Sequence, residues 1–455
     1  MADSSGGQAD PVVTVSSPER LGGPLLHLQI LIVLAVALGG GGLAYGLRNL
    51  AIQLFALAVL AVNRDAVLAF WRSAPRALVA LVSISVALPL IQLIPLPASL
   101  WQGLPGREPV AESFALAGLA SDRWFPISVD PMRTLVAFSG TLASATIIVI
   151  GSTLQRPAKL RLVAAGLLVI LAAFFLGAVQ LSTANSLGLL YGERTEADVF
   201  YATFANRNST ALMFVVGLTL LASLPRPRQA QWLFAAAITG MFFALAVVLT
   251  QSRTGMVLLG VPLAILLLRA VALLRVGVVR PGKLFGVGVG IVLLATGALG
   301  ASYASGGRVA ESVERFASAG AADRPEIWED GLYAAGQYWP VGSGMGTFDE
   351  VFQLHESLEH VSPRKAGRAH SDWLEIAIEG GIVSLAMATA WLIWILLAAI
   401  PRGSAEGMWM RLGGAAALAA IAAQSLLDYP LRNQTLLCLA AVCAVMLVRQ
   451  REERA

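Results

Sequence analysis

The chain alternates long apolar runs with short polar connections, and one long polar stretch interrupts the pattern near its end. A membrane-spanning helix needs about 20 mostly apolar residues, with a range of ~17–25. Twelve segments meet or approach that length: 25–45, 48–63, 77–97, 134–153, 160–182, 208–224, 230–249, 254–273, 284–302, 381–400, 410–427 and 434–448. The second is short. Arg269 intrudes near one end of the eighth, where a long side chain can snorkel to the interface. Residues 1–24 are polar, with Ser16-Ser17-Pro18 and Gly22-Gly23-Pro24, and read as a disordered tail ahead of an uncleaved first helix. The expected fold is an all-α polytopic membrane protein of about 12 transmembrane helices. Nine of these fall within 25–302, a large extramembrane loop spans 303–380, three more helices fill 381–448, and 449–455 form a second tail.

Composition supports this class. The chain is 57% hydrophobic and 13% charged, with a mean hydropathy of +0.72, whereas soluble domains carry about 25% charged residues. Cys438 and Cys443 both lie in the last apolar run, five positions apart. On a helix that separation exceeds the reach of a disulfide, so they read as small packing residues. The intervening connections are too short for a nucleotide-binding domain, and no G-x-x-x-x-G-K-[ST] motif is present.

Charge then suggests an orientation. More than half of the 32 Lys and Arg fall in the two tails and the short connections on the amino-terminal side, among them Arg64, Arg72, Arg76, Arg156, Lys159, Arg161, Arg275, Arg280 and Lys283. The positive-inside rule places both termini in the cytoplasm. Four polar clusters then share the outer face: 201–208, 250–255, the loop 303–380, and Asp428-Tyr429-Pro430-Leu431-Arg432-Asn433. Their convergence on one side suggests one site. Residues 98–133, with Trp101 and Trp124, read as an interfacial loop with aromatic anchors.

The candidate chemistry sits in these clusters. Arg253, between Ser252 and Thr254-Gly255, puts a permanent guanidinium at a membrane edge, where it can grip an anion such as phosphate bidentately. A snorkelling arginine in a short loop would look the same. Asp323-Arg324-Pro325 resembles a helix start, with Asp323 as cap and Arg324 at the anion-favouring end; an arginine on a solvated helix face is the plainer alternative. Pro340 to Phe348 is glycine-rich but lacks a βαβ context, and reads as a tight turn that places the helices on either side. His370 directly precedes an expected helix, with Asp372 as N-cap and Glu375 three residues on as its capping-box partner. A histidine so placed is a candidate base toward a sugar hydroxyl. Glu375 and Glu379 lie on adjacent turns, side by side and not across a sugar, so at least one is expected to be structural. His355 and His360 read as loop histidines, since the three histidine spacings match no standard metal-ligand pattern.

Taken together and in order, these motifs resemble the bacterial O-antigen ligase and O-antigen/exopolysaccharide polymerase superfamily. The matching residues are Phe204-Ala205-Asn206-Arg207-Asn208, Ser252-Arg253-Thr254-Gly255, Arg324-Pro325-Glu326-Ile327-Trp328, the Pro340–Phe348 turn, and His370-Ser371-Asp372-Trp373-Leu374-Glu375 with Glu379-Gly380-Gly381. The likeness covers about 200–433. It implies a glycosyltransferase-C-like fold in the bacterial inner membrane. It also implies an inverting, metal-independent transfer of a glycan from undecaprenyl diphosphate to an acceptor glycan or lipid A core at the periplasmic face. No cofactor and no nucleic acid are implied. By this resemblance Arg253, Arg324 and Arg207 hold the diphosphate and His370 is the base. Ser252, Asn206, Asn208, Ser371 and Glu375 support them. Family members often carry Asn after the histidine, where this chain has Ser371. The rival from another class is a transporter or flippase of a lipid-linked glycan. It predicts charges inside the spans and repeat symmetry, whereas here the charges cluster outside them.

Overall fold

The computed structural model describes residues 23–41, 46–192, 196–225, 229–275, 324–361, 365–400 and 405–449. The amino-terminal tail to residue 22, the expected ninth span at 284–302, the polar stretch from 303 to 323 with Asp323, and 450–455 lie outside them.

Within the described residues the chain is overwhelmingly helical. The first helices are α1 (Pro24–Leu38), α2 (Gly46–Val62), α3 (Arg64–Ser73) and α4 (Arg76–Gln92). Strand β1 (Pro95–Leu96), helices α5 (Ala98–Trp101) and α6 (Glu108–Leu116), and strand β2 (Phe125–Pro126) follow, with β1 and β2 pairing antiparallel. Then come α7 (Pro131–Gly151), α8 (Arg156–Ser182), α9 (Arg207–Ser223), α10 (Ala230–Leu249), α11 (Arg253–Leu258) and α12 (Gly260–Arg275). After the undescribed segment follow α13 (Arg324–Tyr338), α14 (Phe348–His355), α15 (Asp372–Ala399), α16 (Ala405–Gln424) and α17 (Gln434–Leu447).

Helices occupy eleven of the twelve expected spans, the ninth being outside the described residues. By length and composition six are able to cross a membrane, or seven if α2 and α3, bent by 78°, count as one. The apolar helices α4, α9 and α17 are shorter. Helix α17 is buried along its whole length, and α9 nearly so. A helix apolar on every face belongs in an interior, and these two form the centre on which α1, α7, α8, α10 and α16 pack.

Four local features depart from the expectations or add to them. Helix α3 was not expected. It is amphipathic, with Phe70 buried and Leu68 and Trp71 exposed. Arg269 gains partners that the sequence does not show: it donates to the Ala222 and Leu224 carbonyls at the end of α9, where a cation meets the negative end of the helix dipole. Trp101 is no interfacial anchor, being 1% exposed. It meets Phe114 edge-on and Phe125 at a tilt in a small aromatic cluster, and its indole N–H donates to the Arg123 carbonyl. Finally, the N-cap of α15 is Ser371, not Asp372, so the expected capping box does not form.

Helices α13 and α14 and the first turns of α15 share a second core of Ala334, Tyr338, Phe348, Val351, Phe352, Ala369, Leu374 and Ile378. The glycine-rich turn ties this lobe to the bundle. Ser343 N and Gly344 N donate to the Ile378 and Glu379 carbonyls at 2.9 and 2.8 Å, and Ile382 N donates to the Pro340 carbonyl at 3.0 Å. Gln92 joins both sides, donating to the Glu379 carbonyl and accepting from Met345 N. Against this turn α15 breaks at Gly381, with φ +55° and ψ −141°, and resumes as the apolar helix expected from residue 381. Arg133 of α7 pairs with Glu350 of α14 at 2.6 Å and completes the docking.

Candidate functional site

Three helices begin at one end of the bundle, each with a side-chain cap. Asn206 caps α9 and accepts from Asn208 N at 2.8 Å. Ser252 caps α11 and accepts from Gly255 N at 3.1 Å. Ser371 caps α15 and accepts from Leu374 N at 3.4 Å. Capping of this kind satisfies first-turn N–H groups that have no intrahelical partner.

The caps are linked to one another. Ser252 Oγ donates to Asn208 Oδ1 at 2.8 Å, and Gln424 Nε2 at the end of α16 donates to the Asn208 carbonyl at 3.0 Å. Asn206 Nδ2 reaches Asp428 Oδ2 at 3.4 Å. Asp372 N donates to the carbonyls of Ser425 and Asp428 at 2.9 and 3.1 Å. The clusters around 201–208, 250–255, 370–375 and 428–433, far apart in sequence, thus form one hydrogen-bonded assembly.

His370 stands at its centre. Its backbone is left-handed, with φ +50°, a setting uncommon for any residue but glycine. The chain on both sides of it is held. Ala369 N donates to Glu375 Oε1 at 3.0 Å, Trp328 Nε1 of α13 donates to the Ala369 carbonyl at 2.9 Å, and Asp372 N is bound as above. The imidazole is 35% exposed and lies against the Tyr429 ring, centroids 5.2 Å apart. Its Nδ1 lies 3.5 Å from Oδ1 of the buried Asp428. That is longer than a hydrogen bond, but catalytic contacts are often loose before substrate binds and tighten in the complex. Burial raises the pKa of the Tyr429 phenol, so that ring stays neutral.

Behind His370 lies a buried charge cluster. Asp372, Glu375 and Glu379 lie on successive turns of α15, and all three point at Arg432. The guanidinium Nε lies 3.6 Å from Asp372 Oδ1 and 3.1 Å from Glu375 Oε2, and Nη1 lies 2.7 Å from Glu379 Oε2. Arg368 adds a contact to Glu375 at 3.0 Å. Burial opposes the charge on Arg432, but Glu379, Glu375 and Asp372 outweigh it and hold its pKa above the ordinary arginine value. Glu375 and Glu379 are therefore both committed to ion pairs inside the protein.

Of the residues singled out in the sequence, Asn206, Asn208, Ser252, His370, Ser371 and Glu375 share this assembly. Arg207 and Arg253 are the first residues of α9 and α11 and so flank it. Arg253 is exposed, and Arg207 lies 3.5 Å from Glu196. Arg324 opens α13, the helix that carries Trp328. The other two histidines of the lobe go elsewhere: His355 packs on Tyr333 and Tyr338, and His360 pairs with Asp330 at 2.9 Å. Sequence reasoning did not assign roles to Asp428, Tyr429, Arg368 and Arg432. The 428–433 cluster stands out in the sequence as polar, but its partners His370, Asp372, Glu375 and Glu379 lie more than 45 residues away, and no spacing rule reaches that far.

Residues 238–389 match the family model described as O-Antigen ligase. The match includes Arg253, Arg324, His370, Ser371 and Glu375, while Asn206, Arg207, Asn208 and Asp428 lie beyond it. No curated protein matches the chain. The resemblance to the O-antigen ligase and polymerase superfamily is supported over that region, and with it a multi-pass membrane protein of glycosyltransferase-like character.

Proposed function

We propose that this O-antigen ligase-type membrane protein transfers a glycan from undecaprenyl diphosphate to a sugar hydroxyl on an acceptor glycan or lipid A core. One observation carries the reading. A strained, accessible His370 is backed by a buried Asp428, and both are tied to the helix starts that bear Arg207 and Arg253.

The chemistry follows from those groups. When substrate binding tightens the 3.5 Å contact, Asp428 accepts from Nδ1 of His370 and leaves Nε2 as the basic nitrogen, the arrangement by which a carboxylate orients an imidazole. Nε2 takes the proton of the acceptor hydroxyl as its oxygen bonds to the anomeric carbon. The bond from that carbon to the diphosphate oxygen breaks, and its electron pair leaves with the diphosphate. Direct attack from the opposite face inverts the anomeric centre. Arginines at helix amino termini stabilise the leaving anion, since guanidinium and helix dipole act in the same sense there. Arg207, Arg253 and Arg324, each the first residue of its helix, fill that role. The site faces the periplasm and both termini the cytoplasm, as the loop charges favour.

The test is His370→Ala and Arg253→Ala, expressed at normal levels in host cells lacking the native copy, with glycan chain length and attachment as readouts. A lost general base costs about 10²–10⁴-fold and a lost group that stabilises the developing anion about 10²–10³-fold, so each variant is expected to lose nearly all transfer. Accumulated single repeat units would identify chain extension as the reaction. Long unattached lipid-linked chains would identify transfer to lipid A core. Full-length, normally attached glycan in both variants would refute the proposal.

A further inference from the structure

We infer that Arg432 is a positioning residue for the transfer: through three buried carboxylates on α15 it sets Asp428 opposite His370. This rests on the reading of His370 as the base, and it adds a residue that the expected site did not contain.

His370 and Asp428 stand on two separate segments, the α15 start and the turn between α16 and α17. Neither side chain fixes the other, because their contact is 3.5 Å long. What holds the two segments in register is the cluster behind them. Asp372 Oδ2 accepts from Leu431 N at 3.0 Å and from Ser425 Oγ at 2.9 Å, so one carboxylate grips the turn on both sides of Asp428. Glu375 holds Ala369 N, directly before the histidine. Glu379 also reaches the glycine-rich turn, accepting from Phe348 N at 3.3 Å. Arg432 is the group that all three carboxylates share, and it sits four residues after Asp428 on the same turn.

The shape of the side chain matters as much as its charge. The guanidinium presents Nε to Asp372 and Glu375 and Nη1 to Glu379, so its planar fork spans two helical turns. A lysine carries the same charge at one point and cannot hold both ends. Three carboxylates facing Arg432 and Arg368 also leave no spare positive charge. Deleting the guanidinium alone would strand buried anions, so a charge-balanced variant is needed beside the conservative one.

The experiment uses the full-length protein in nanodiscs, with donor and acceptor lipids extracted from host membranes. Arg432→Lys and the paired Arg432→Gln/Glu379→Gln are compared with Asp428→Asn and His370→Ala. Both Arg432 variants are expected to stay folded, with kcat at least tenfold lower and KM for the donor within twofold of the parent. In an Asp428→Asn background, Arg432→Lys is expected to cost less than a further twofold, because both residues act through His370. Unchanged kcat in the folded variants, a fully multiplicative loss with Asp428→Asn, or unfolding of both variants would each overturn the inference. If His370→Ala transfers normally, the base reading itself falls. If His370→Ala is inactive while the Arg432 variants are not, only this inference falls.

Discussion

A left-handed histidine costs about 1–3 kcal/mol of backbone strain, and His370 keeps that conformation because its neighbours leave no alternative. The Ala369 amide is bound by Glu375 in the first turns of α15, and the Ala369 carbonyl and the Asp372 amide are bound by groups remote in sequence. The histidine was recognisable from its place before a helix, whereas its partner was not, since Asp428 lies in a turn with an unremarkable local pattern. The other lobe histidines differ in kind. Burial lowers the pKa of His355, and the Asp330 hydrogen bond raises that of His360. The stability that the His360–Asp330 contact adds is complete below the usual value of about 6.5 and fades as pH rises through the raised folded value. With four histidines in the chain, imidazole labelling resolves each by NMR. Asp330→Asn is expected to return the His360 midpoint to its ordinary range, and an unmoved midpoint would show that the pair does not form.

Helix α15 shows how an element serves two purposes. Its first turns carry the charge cluster and belong to the lobe, while the remainder is an apolar span. Gly381 divides the two. A side chain there would meet the Pro340 carbonyl oxygen at 2.0 Å, in a backbone region that L-residues rarely enter. Gly381→Ala is therefore expected to destabilise by at least ~1–3 kcal/mol from φ alone, with the clash added. The check is thermal unfolding in detergent: at about 2.1 cal/mol/K per residue the 455-residue chain loses roughly 1 °C per kcal/mol, and an unmoved melting temperature would disprove the strained break. The apolar pattern placed the start of this span correctly. The capping residues placed the helix start near 372, but neither pattern showed that the charged face of its first turns is buried in the fold.

For the whole molecule, orientation decides which compartment the site meets. Cys438 and Cys443 are buried and should be silent to thiol reagents. Leu358 is 93% exposed in the lobe, and Arg449 lies at the far end of α17. In intact cells with a permeabilised outer membrane, Leu358→Cys is expected to react with a membrane-impermeant maleimide. Arg449→Cys is expected to react only after lysis. The reverse pattern would place the site in the cytoplasm and remove the periplasmic reading.

Hydrophobic periodicity by itself determined that the chain is a helical membrane protein, where most helices lie, and which polar clusters deserved attention. Those are local properties, set by how a 20-residue window partitions between lipid and water. Tertiary structure alone decided that Asp428 backs His370, that Glu375 and Glu379 turn inward onto Arg432, that Trp101 is packed inside an aromatic cluster, and that Arg269 bonds the end of α9. Each of these depends on what lies opposite a side chain after folding. A buried ion cluster is stable only when its members meet, and the order of residues along the chain does not record that meeting.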